Sequence, residues 1–189
     1  MNIVTSLNVL AITALLDRGA SAAGTFSGRR VLCRFIEQLA SLEPGPVFLD
    51  FNKVEHATAS FLREAVCATR NYALEFTPGV NPIVANASGE VLNDLTAVLD
   101  HRKDNAVVCR LSGQKVERVQ VLGPLDPGIA EALQLVRVRP GVTAGELAKE
   151  HQDVSAPAWN NRLSFLSRRG LIVGDGRKPA GYRFVLLDD

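Results

Sequence analysis

Apolar residues follow two different patterns along the chain, and together these patterns predict alternating strands and helices over the first two thirds. Short apolar runs with the length of buried strands lie at residues 47–51, 83–85 and 106–111, and residues 116–122 are a candidate for a fourth strand. Helical spacing of apolar residues occurs between them, at residues 29–42, 59–76 and 88–99. Strands that alternate with helices predict a mainly parallel sheet with helices packed on it. Residues 1–122 are therefore expected to form an α/β domain.

The first sixteen residues leave two interpretations open. Residues 3–5 and 9–15 fit either strands or one buried helix, because periodicity does not separate these structures in short apolar runs. The following ASAAG, residues 20–24, resembles a cleavage site, but a secretory signal needs a basic segment before its apolar run, and none is present. The run is also too short to span a membrane. We expect neither a secretory signal nor a membrane segment.

The last third of the chain shows helix caps and turn residues instead of long apolar runs. A Pro/Gly-rich linker is predicted at residues 123–128, followed by a helix from Ile129 that ends before Pro140. Thr143 and Glu146 have the spacing of a capping box, so a helix is expected from there to about His151. Ser155 is a good cap for the next helix, which Gly170 ends.

Two strands complete this region, which we treat as a second domain over residues 129–189. Residues 171–173 and 182–187 have strand composition, and the Gly-rich segment 174–181 joins them. The order is therefore helix, helix, helix and hairpin. Trp159, Leu163 and Leu166 share one face of the last helix by their spacing, so we expect Trp159 in the core.

The segment NRLSFLSRRGLI, residues 161–172, resembles the end of the recognition helix in winged helix-turn-helix regulators. The resemblance covers roughly the last third of the chain. It implies a winged helix-turn-helix domain, and it makes duplex DNA the expected partner.

The first domain resembles the STAS-like group, which has the anti-sigma-factor-antagonist fold. The resemblance rests on the phrase Phe-Ser-Gly-Arg at residues 26–29 and on VFLDFNKVEHATASF at residues 47–61. It implies a STAS-like sheet with packed helices that mediates contact with a protein partner.

In classical members of this group, the helix that follows the strand equivalent to VFLDF begins with a serine. A histidine-kinase-like ATPase phosphorylates this serine. Ser60 is the matching position, so the resemblance implies a regulatory phosphosite and a partner of that kind. The chain departs from the classical pattern by having Thr58 and Ala59 where Asp-Ser is expected. The alternative interpretation, which we favour, is that Ser60 caps the helix.

Charge is balanced over the chain and concentrated in the last helix and hairpin. The formal net charge is +1, so no global field draws the protein to nucleic acid or membrane. Between Ser155 and Arg183, however, six basic residues face a single acid, Asp175. This excess of positive charge makes contact with duplex DNA the favoured interpretation. The alternative is a charged surface that contacts only solvent.

A recognition helix presents its first residues and its outward face to base edges. The residues expected to contact bases are Ser155, Asn160, Asn161 and Ser164. The residues expected to contact phosphates are Arg162, Arg168, Arg169, Arg177 and Lys178. One winged helix covers a single half-site, so useful affinity requires a homodimer or a partner complex.

Catalysis and cofactor chemistry find little support. No Gly-rich phosphate loop, HExxH or GxSxG motif is present, so we expect no enzyme activity and no cofactor. Cys33, Cys67 and Cys109 form no CxxC pair and show no metal-ligand spacing with the histidines. They are expected to be buried free thiols in the cytoplasm.

Two functions follow from these patterns. In the first, the protein is a DNA-binding regulatory protein with a partner-recruiting STAS-like domain. In the second, it is a protein-interaction adaptor of a multi-protein system, and its winged helix is a further docking surface.

Overall fold

The computed structural model describes residues 7–16, 21–39 and 41–186. The chain divides into two structural units between Pro124 and Leu125. Among the described residues, the first unit has a five-stranded mixed sheet with packed helices, and the second has a three-stranded sheet with three helices. The predicted α/β class is confirmed at this level.

Four parallel strands and one antiparallel edge strand form the first sheet, in the order β1-β2-β3-β4-β5. The strands are β1 (Asn8–Ala11), β2 (Gly45–Asp50), β3 (Val80–Ala85), β4 (Ala106–Ser112) and β5 (Lys115–Leu122). All four predicted strands are present, and the mainly parallel pairing is confirmed. Residues 7–16 combine the two open alternatives, because β1 runs directly into a short helix. The predicted strand at residues 3–5 lies outside the described residues.

The helices of the first unit are α1 (Ile12–Leu15), α2 (Gly24–Leu39), α3 (Ala59–Leu62), α4 (Thr69–Phe76) and α5 (Gly89–Arg102). A π-helical turn, Arg63–Ala68, joins α3 to α4, so the helix predicted over residues 59–76 is continuous but locally widened. Ser88 caps α5 as predicted, and its hydroxyl accepts a hydrogen bond from the Val91 amide at 3.2 Å.

Helix α2 begins five residues earlier than the apolar stripe predicted. Thr58, from the loop after β2, accepts a hydrogen bond from the Gly24 amide at 2.9 Å and so holds the first turn. Gly28 lets this turn approach α3 closely, since a Cβ on Gly28 would lie 2.7 Å from the carbonyl oxygen of Phe61. Both contacts join segments that are about thirty residues apart along the chain, which local periodicity does not report.

The core of the first unit lies between the helices and one face of the sheet. Val47, Leu49, Val84 and Val108 alternate along β2, β3 and β4 and pack with the buried residues of all the helices. Their neighbours Phe48 and Ile83 are also buried. Because β2 and β3 are buried on both faces of the sheet, consecutive residues in them are apolar, and the sequence shows continuous apolar runs.

The second unit follows the predicted order with one added strand. Its elements are α6 (Pro127–Val138), β6 (Val142–Thr143), α7 (Ala144–Glu150), α8 (Ala156–Arg168), β7 (Ile172–Gly174) and β8 (Gly181–Phe184). The strands pair antiparallel in the order β6-β8-β7. The strand predicted to reach residue 187 ends at Phe184, and residue 187 itself lies outside the described part of the chain.

The predicted caps of the second unit are confirmed. Thr143 and Glu146 form a complete capping box, in which the Glu146 carboxylate accepts from the Thr143 amide at 2.7 Å. The Ser155 hydroxyl accepts from the Ala158 amide at the start of α8. The first helix of this unit differs from the prediction in its start. Helix α6 begins at Pro127, so it includes the last two residues of the predicted linker. Proline fits a first helical turn because no intrahelical partner is lost there.

Candidate nucleic-acid interface

The outward face of α8 is a polar stripe. Asn160, Asn161, Ser164 and Arg168 recur at spacings of three and four residues, so they share one side of the helix. Both asparagines and Arg168 are exposed, and Ser164 is half-buried. No acidic residue lies on α8. The helix therefore presents amide, hydroxyl and guanidinium groups at its surface, and we call this set the α8 stripe.

The opposite face of α8 anchors the stripe to the unit. Trp159, Leu163 and Leu166 are each 0% exposed, which confirms that Trp159 belongs to the core. Helix α8 packs on α6 and α7 through this face. Because the packing is apolar and extensive, it fixes the direction of the α8 stripe.

Arg162 does not belong to the outward face, contrary to the sequence interpretation. Its guanidinium donates to the Glu131 carboxylate on α6 at 3.0 Å and stacks 4.6 Å from the centre of the Trp159 ring. It also packs against Gly128, where a Cβ would lie 2.7 Å from an Arg162 nitrogen. Arg162 thus joins α8 to α6, so we remove it from the expected phosphate contacts.

The two arginines at the end of α8 differ in their surroundings. Arg168 is exposed, and its Nε donates to the Ser164 carbonyl oxygen at 3.3 Å. Arg169 is half-buried and lies 5.3 Å from the centre of the Phe165 ring. Arg168 extends the α8 stripe, whereas Arg169 lies on its flank.

The loop between β7 and β8 covers residues 175–180, and a carboxylate organises it. Asp175 accepts hydrogen bonds from the amides of Arg177 and Gly181, at 3.0 and 3.1 Å, and from the Arg177 side chain. Arg177 in turn donates to the Gly141 carbonyl oxygen at 3.1 Å. The Arg177 hydrogen bond lowers the pKa of Asp175, and the same bond raises the pKa of Arg177.

Arg177 is therefore a structural residue of this loop, a role that the sequence interpretation missed. Lys178 and Arg183 are exposed and make no ion pair with any described residue. They are the hairpin cations that remain available to a phosphate. Arg183 counted in the predicted charge excess but was not chosen as a site residue, and the structure leaves it exposed on β8.

Separate replacement of Arg177 and Lys178 by Ala should distinguish these two roles. Lys178→Ala should weaken duplex binding about 3- to 10-fold and reduce the salt slope by about one, since it removes one phosphate contact. Arg177→Ala should speed hydrogen exchange at the Gly181 amide in the free protein, an effect that Lys178→Ala should not have. The reason is that the Asp175 carboxylate, which accepts a hydrogen bond from this amide, loses its Arg177 partner. Equal exchange in both variants would contradict the structural role of Arg177.

Ser60 is not the helix cap, which corrects the interpretation that we favoured. Thr58 caps α3, where its hydroxyl accepts from the Phe61 amide at 3.3 Å. Ser60 follows two residues later, and its Oγ lies 3.2 Å from the Thr58 Oγ1. A groove of about 420 Å³ lies beside it between α3, the π turn and α5. Its polar side chains are Arg63, Asp94, His101 and Arg102, and Ala59, Ala97 and Val98 form its apolar part.

Polar residues at the end of β2 and after β3 form hydrogen bonds with one another. Asp50 accepts from the Asn86 amide side chain at 2.9 Å, and Asn86 in turn accepts from the Leu111 amide. His56 lies 2.7 Å from Glu90, and this hydrogen bond raises the pKa of the imidazole. These contacts tie neighbouring strand ends and helix starts together.

The thiols differ from the prediction at one position. Cys67 and Cys109 are buried, and burial raises the pKa of both, that of Cys109 to about 12. Cys33 is exposed on α2, so the expectation that it is buried is wrong. No group of three His, Cys, Asp or Glu side chains suited to a metal ion occurs among residues 7–16, 21–39 and 41–186.

Within the described segments, each helix is too short or too polar to cross a membrane. Comparison with known proteins adds no relative, since no protein-family model and no curated protein matches the sequence.

Proposed function

We propose that this protein is a DNA-binding regulatory protein of the cytoplasm. Its second unit acts as a winged helix-turn-helix domain that contacts duplex DNA through α8 and the hairpin. Its first unit acts as a STAS-like domain that mediates contact with a protein partner.

The observation that carries the proposal is the α8 stripe. It combines two exposed asparagines with Arg168 on a helix without acids, and the apolar face behind it holds it in place. Asparagine forms two hydrogen bonds with adenine in the major groove, and arginine binds phosphate or guanine. A helix without carboxylates also avoids repulsion by the phosphate backbone.

The arrangement of the second unit supports this assignment. The chain runs helix, strand, helix, helix and hairpin, and β6 pairs with the returning strand β8. In a winged helix, the helix before the hairpin enters the major groove and the hairpin lies over the adjacent backbone. Here that helix is α8, and the hairpin carries the exposed cations Lys178 and Arg183.

The first unit supports recruitment of a protein partner. Ser60 borders the groove that contains Arg63 and Arg102 together with one acid, Asp94, so a phosphate on Ser60 would lie near two guanidinium groups. A histidine-kinase-like ATPase, the partner type implied by the resemblance, is the first candidate to test. Because one winged helix covers one half-site, tight DNA binding also requires a homodimer or this partner, whereas weak, salt-dependent binding to duplex DNA does not.

A protein-interaction adaptor is the second candidate function, and the charge distribution favours it. Arg162 and Arg177 are held by carboxylates, so fewer cations reach solvent than the sequence count indicates. The net charge is only +1. An adaptor would use the same exposed surface of α8 for a protein, without counterion release.

Fluorescence anisotropy of the full chain on random duplex DNA, at about 50 and 200 mM salt, tests the choice. With two or three phosphate contacts, Kd should rise about 10- to 40-fold between these concentrations. Absence of binding at the lower salt would refute DNA binding and favour the adaptor. Binding with no salt dependence would exclude phosphate contact as its basis.

A further inference from the structure

A small cavity lies between α5 and the β4–β5 hairpin, on the side of the sheet that faces the helices. Its volume is about 160 Å³. Val84, Leu92 and Val108 form an apolar wall, and Arg110, Arg118 and Gln120 supply polar groups. We call it the hairpin cavity. Sites for drug-sized ligands have volumes of about 300–1,000 Å³, so this one suits a smaller molecule.

A β-bulge brings Arg118 to this cavity. Val108 pairs with Gln120 and Arg110 pairs with Glu117, so an extra residue of β5 is inserted between these two pairs. Arg118 adopts a φ of +53°, in the left-handed region that residues other than glycine seldom occupy. Bulges redirect side chains and recur beside binding sites. Here the bulge adds a second arginine to the side of the sheet that already carries Arg110.

Neither arginine is neutralised by the rest of the described chain. Arg110 and Arg118 are exposed and make no ion pair or hydrogen bond through their side chains with residues 7–16, 21–39 or 41–186. Glu117 lies opposite Arg110 in the strand register but forms no ion pair with it. Two arginines that form no ion pair with the described residues lie beside one cavity, and their positive charges favour an anion there.

The donor count indicates the class of anion. Each guanidinium carries five N–H donors in a planar fork, and the Gln120 amide adds two more. A carboxylate offers two oxygens, whereas a phosphomonoester offers three strong acceptors and close to two negative charges. The apolar wall then suits the carbon part of an ester. Val84, Leu92 and Val108 would contact that part once the phosphate lies between the arginines.

We propose that the hairpin cavity binds a small phosphomonoester. Arg110 and Arg118 bind its phosphate, Gln120 donates a further hydrogen bond, and the apolar wall packs on its short carbon chain. This site is separate from the DNA interface, because none of its residues lies on the second unit.

Isothermal titration calorimetry of the full chain with butyl phosphate, inorganic phosphate and butyrate tests the proposal. Butyl phosphate should bind one molecule per chain, inorganic phosphate more weakly, and butyrate weakest. Arg110→Gln and Arg118→Gly should each reduce the affinity for butyl phosphate about 10-fold or more, since each removes charge-assisted hydrogen bonds. Glycine at residue 118 accepts the positive φ, so the bulge should persist.

Lys115→Gln is the matched control, because it removes one exposed charge from the same hairpin outside the cavity. Its affinity for butyl phosphate should stay within about twofold of the unmodified chain. If all three variants lost affinity for butyl phosphate equally, the effect would come from the overall positive charge of the hairpin, and the proposed site would be overturned. Absence of butyl phosphate binding would also overturn the proposed site. If Arg110→Gln then weakened duplex DNA binding, Arg110 would be assigned to DNA contact and not to a phosphomonoester site.

Discussion

Replacing Asn160, Asn161 and Arg168 together by Ala should weaken binding to a selected duplex by about 100- to 1,000-fold. A bidentate amide contact with a base contributes about 1–3 kcal/mol of discrimination, and a phosphate contact adds a salt-dependent part. The variant should remain folded, since the three positions are exposed and alanine is the best helix former. Fluorescence anisotropy on the selected duplex, with circular dichroism to verify folding, measures the effect.

The separate changes should divide this loss in a specific way. Asn160→Ala with Asn161→Ala should reduce the preference for the selected duplex over a random one and leave the salt slope unchanged. Arg168→Ala should weaken binding to both duplexes equally and reduce the slope by about one. The matched control, Asn71→Ala with Arg102→Ala, makes similar changes at exposed positions of the first unit. If the α8 variant binds as tightly as this control, α8 is not the recognition element.

The sequence predicted most of α8 because the helix obeys local rules. Its cap, its apolar face and its C-terminal glycine each depend on residues within four positions of one another. Arg162 is the informative failure. It lies between outward Asn161 and buried Leu163, so spacing leaves its side undecided. Its carboxylate partner, Glu131, is 31 positions away in the chain.

The start of α3 shows a second limit of sequence inference. Thr58 and Ser60 are both good cap residues and stand two positions apart, so composition does not select between them. The backbone decides, because Thr58 is extended, with φ −73° and ψ 153°, and the helix begins after it. Cys33, by contrast, was predictable. The apolar stripe of α2 includes Val31 and Phe35, and helical spacing places Cys33 on the opposite side.

A buried ion pair, which local spacing also does not predict, lies in the first unit. Arg70 on α4 donates to the Asp104 carboxylate, which follows α5, at 3.3 Å, and the two side chains are only 5% and 8% exposed. The same carboxylate accepts from the Asn105 amide at 2.8 Å. The pair therefore joins α4 to the turn that leads into β4.

Asp104→Ala should lower the free energy of unfolding of the first unit by about 3–5 kcal/mol, because it removes this carboxylate from a buried guanidinium. Arg70→Met should cost a similar amount. The double variant Arg70→Met with Asp104→Leu should lose less than either single variant, since apolar side chains of similar volume leave no buried charge. Chemical denaturation followed by far-ultraviolet circular dichroism measures these differences.

The single tryptophan provides an internal reference for that measurement. Trp159 lies in the second unit, so its fluorescence follows the unfolding of that unit, whereas circular dichroism follows both. Asp104→Ala should shift the circular dichroism transition and leave the fluorescence transition in place if the units unfold independently. Asp100→Ala removes an exposed carboxylate four positions earlier and should change neither by more than about 0.5 kcal/mol. Equal stability of Asp104→Ala and Asp100→Ala would show that burial of the Arg70–Asp104 pair contributes nothing, and the connection of α4 to β4 would then depend on apolar packing alone.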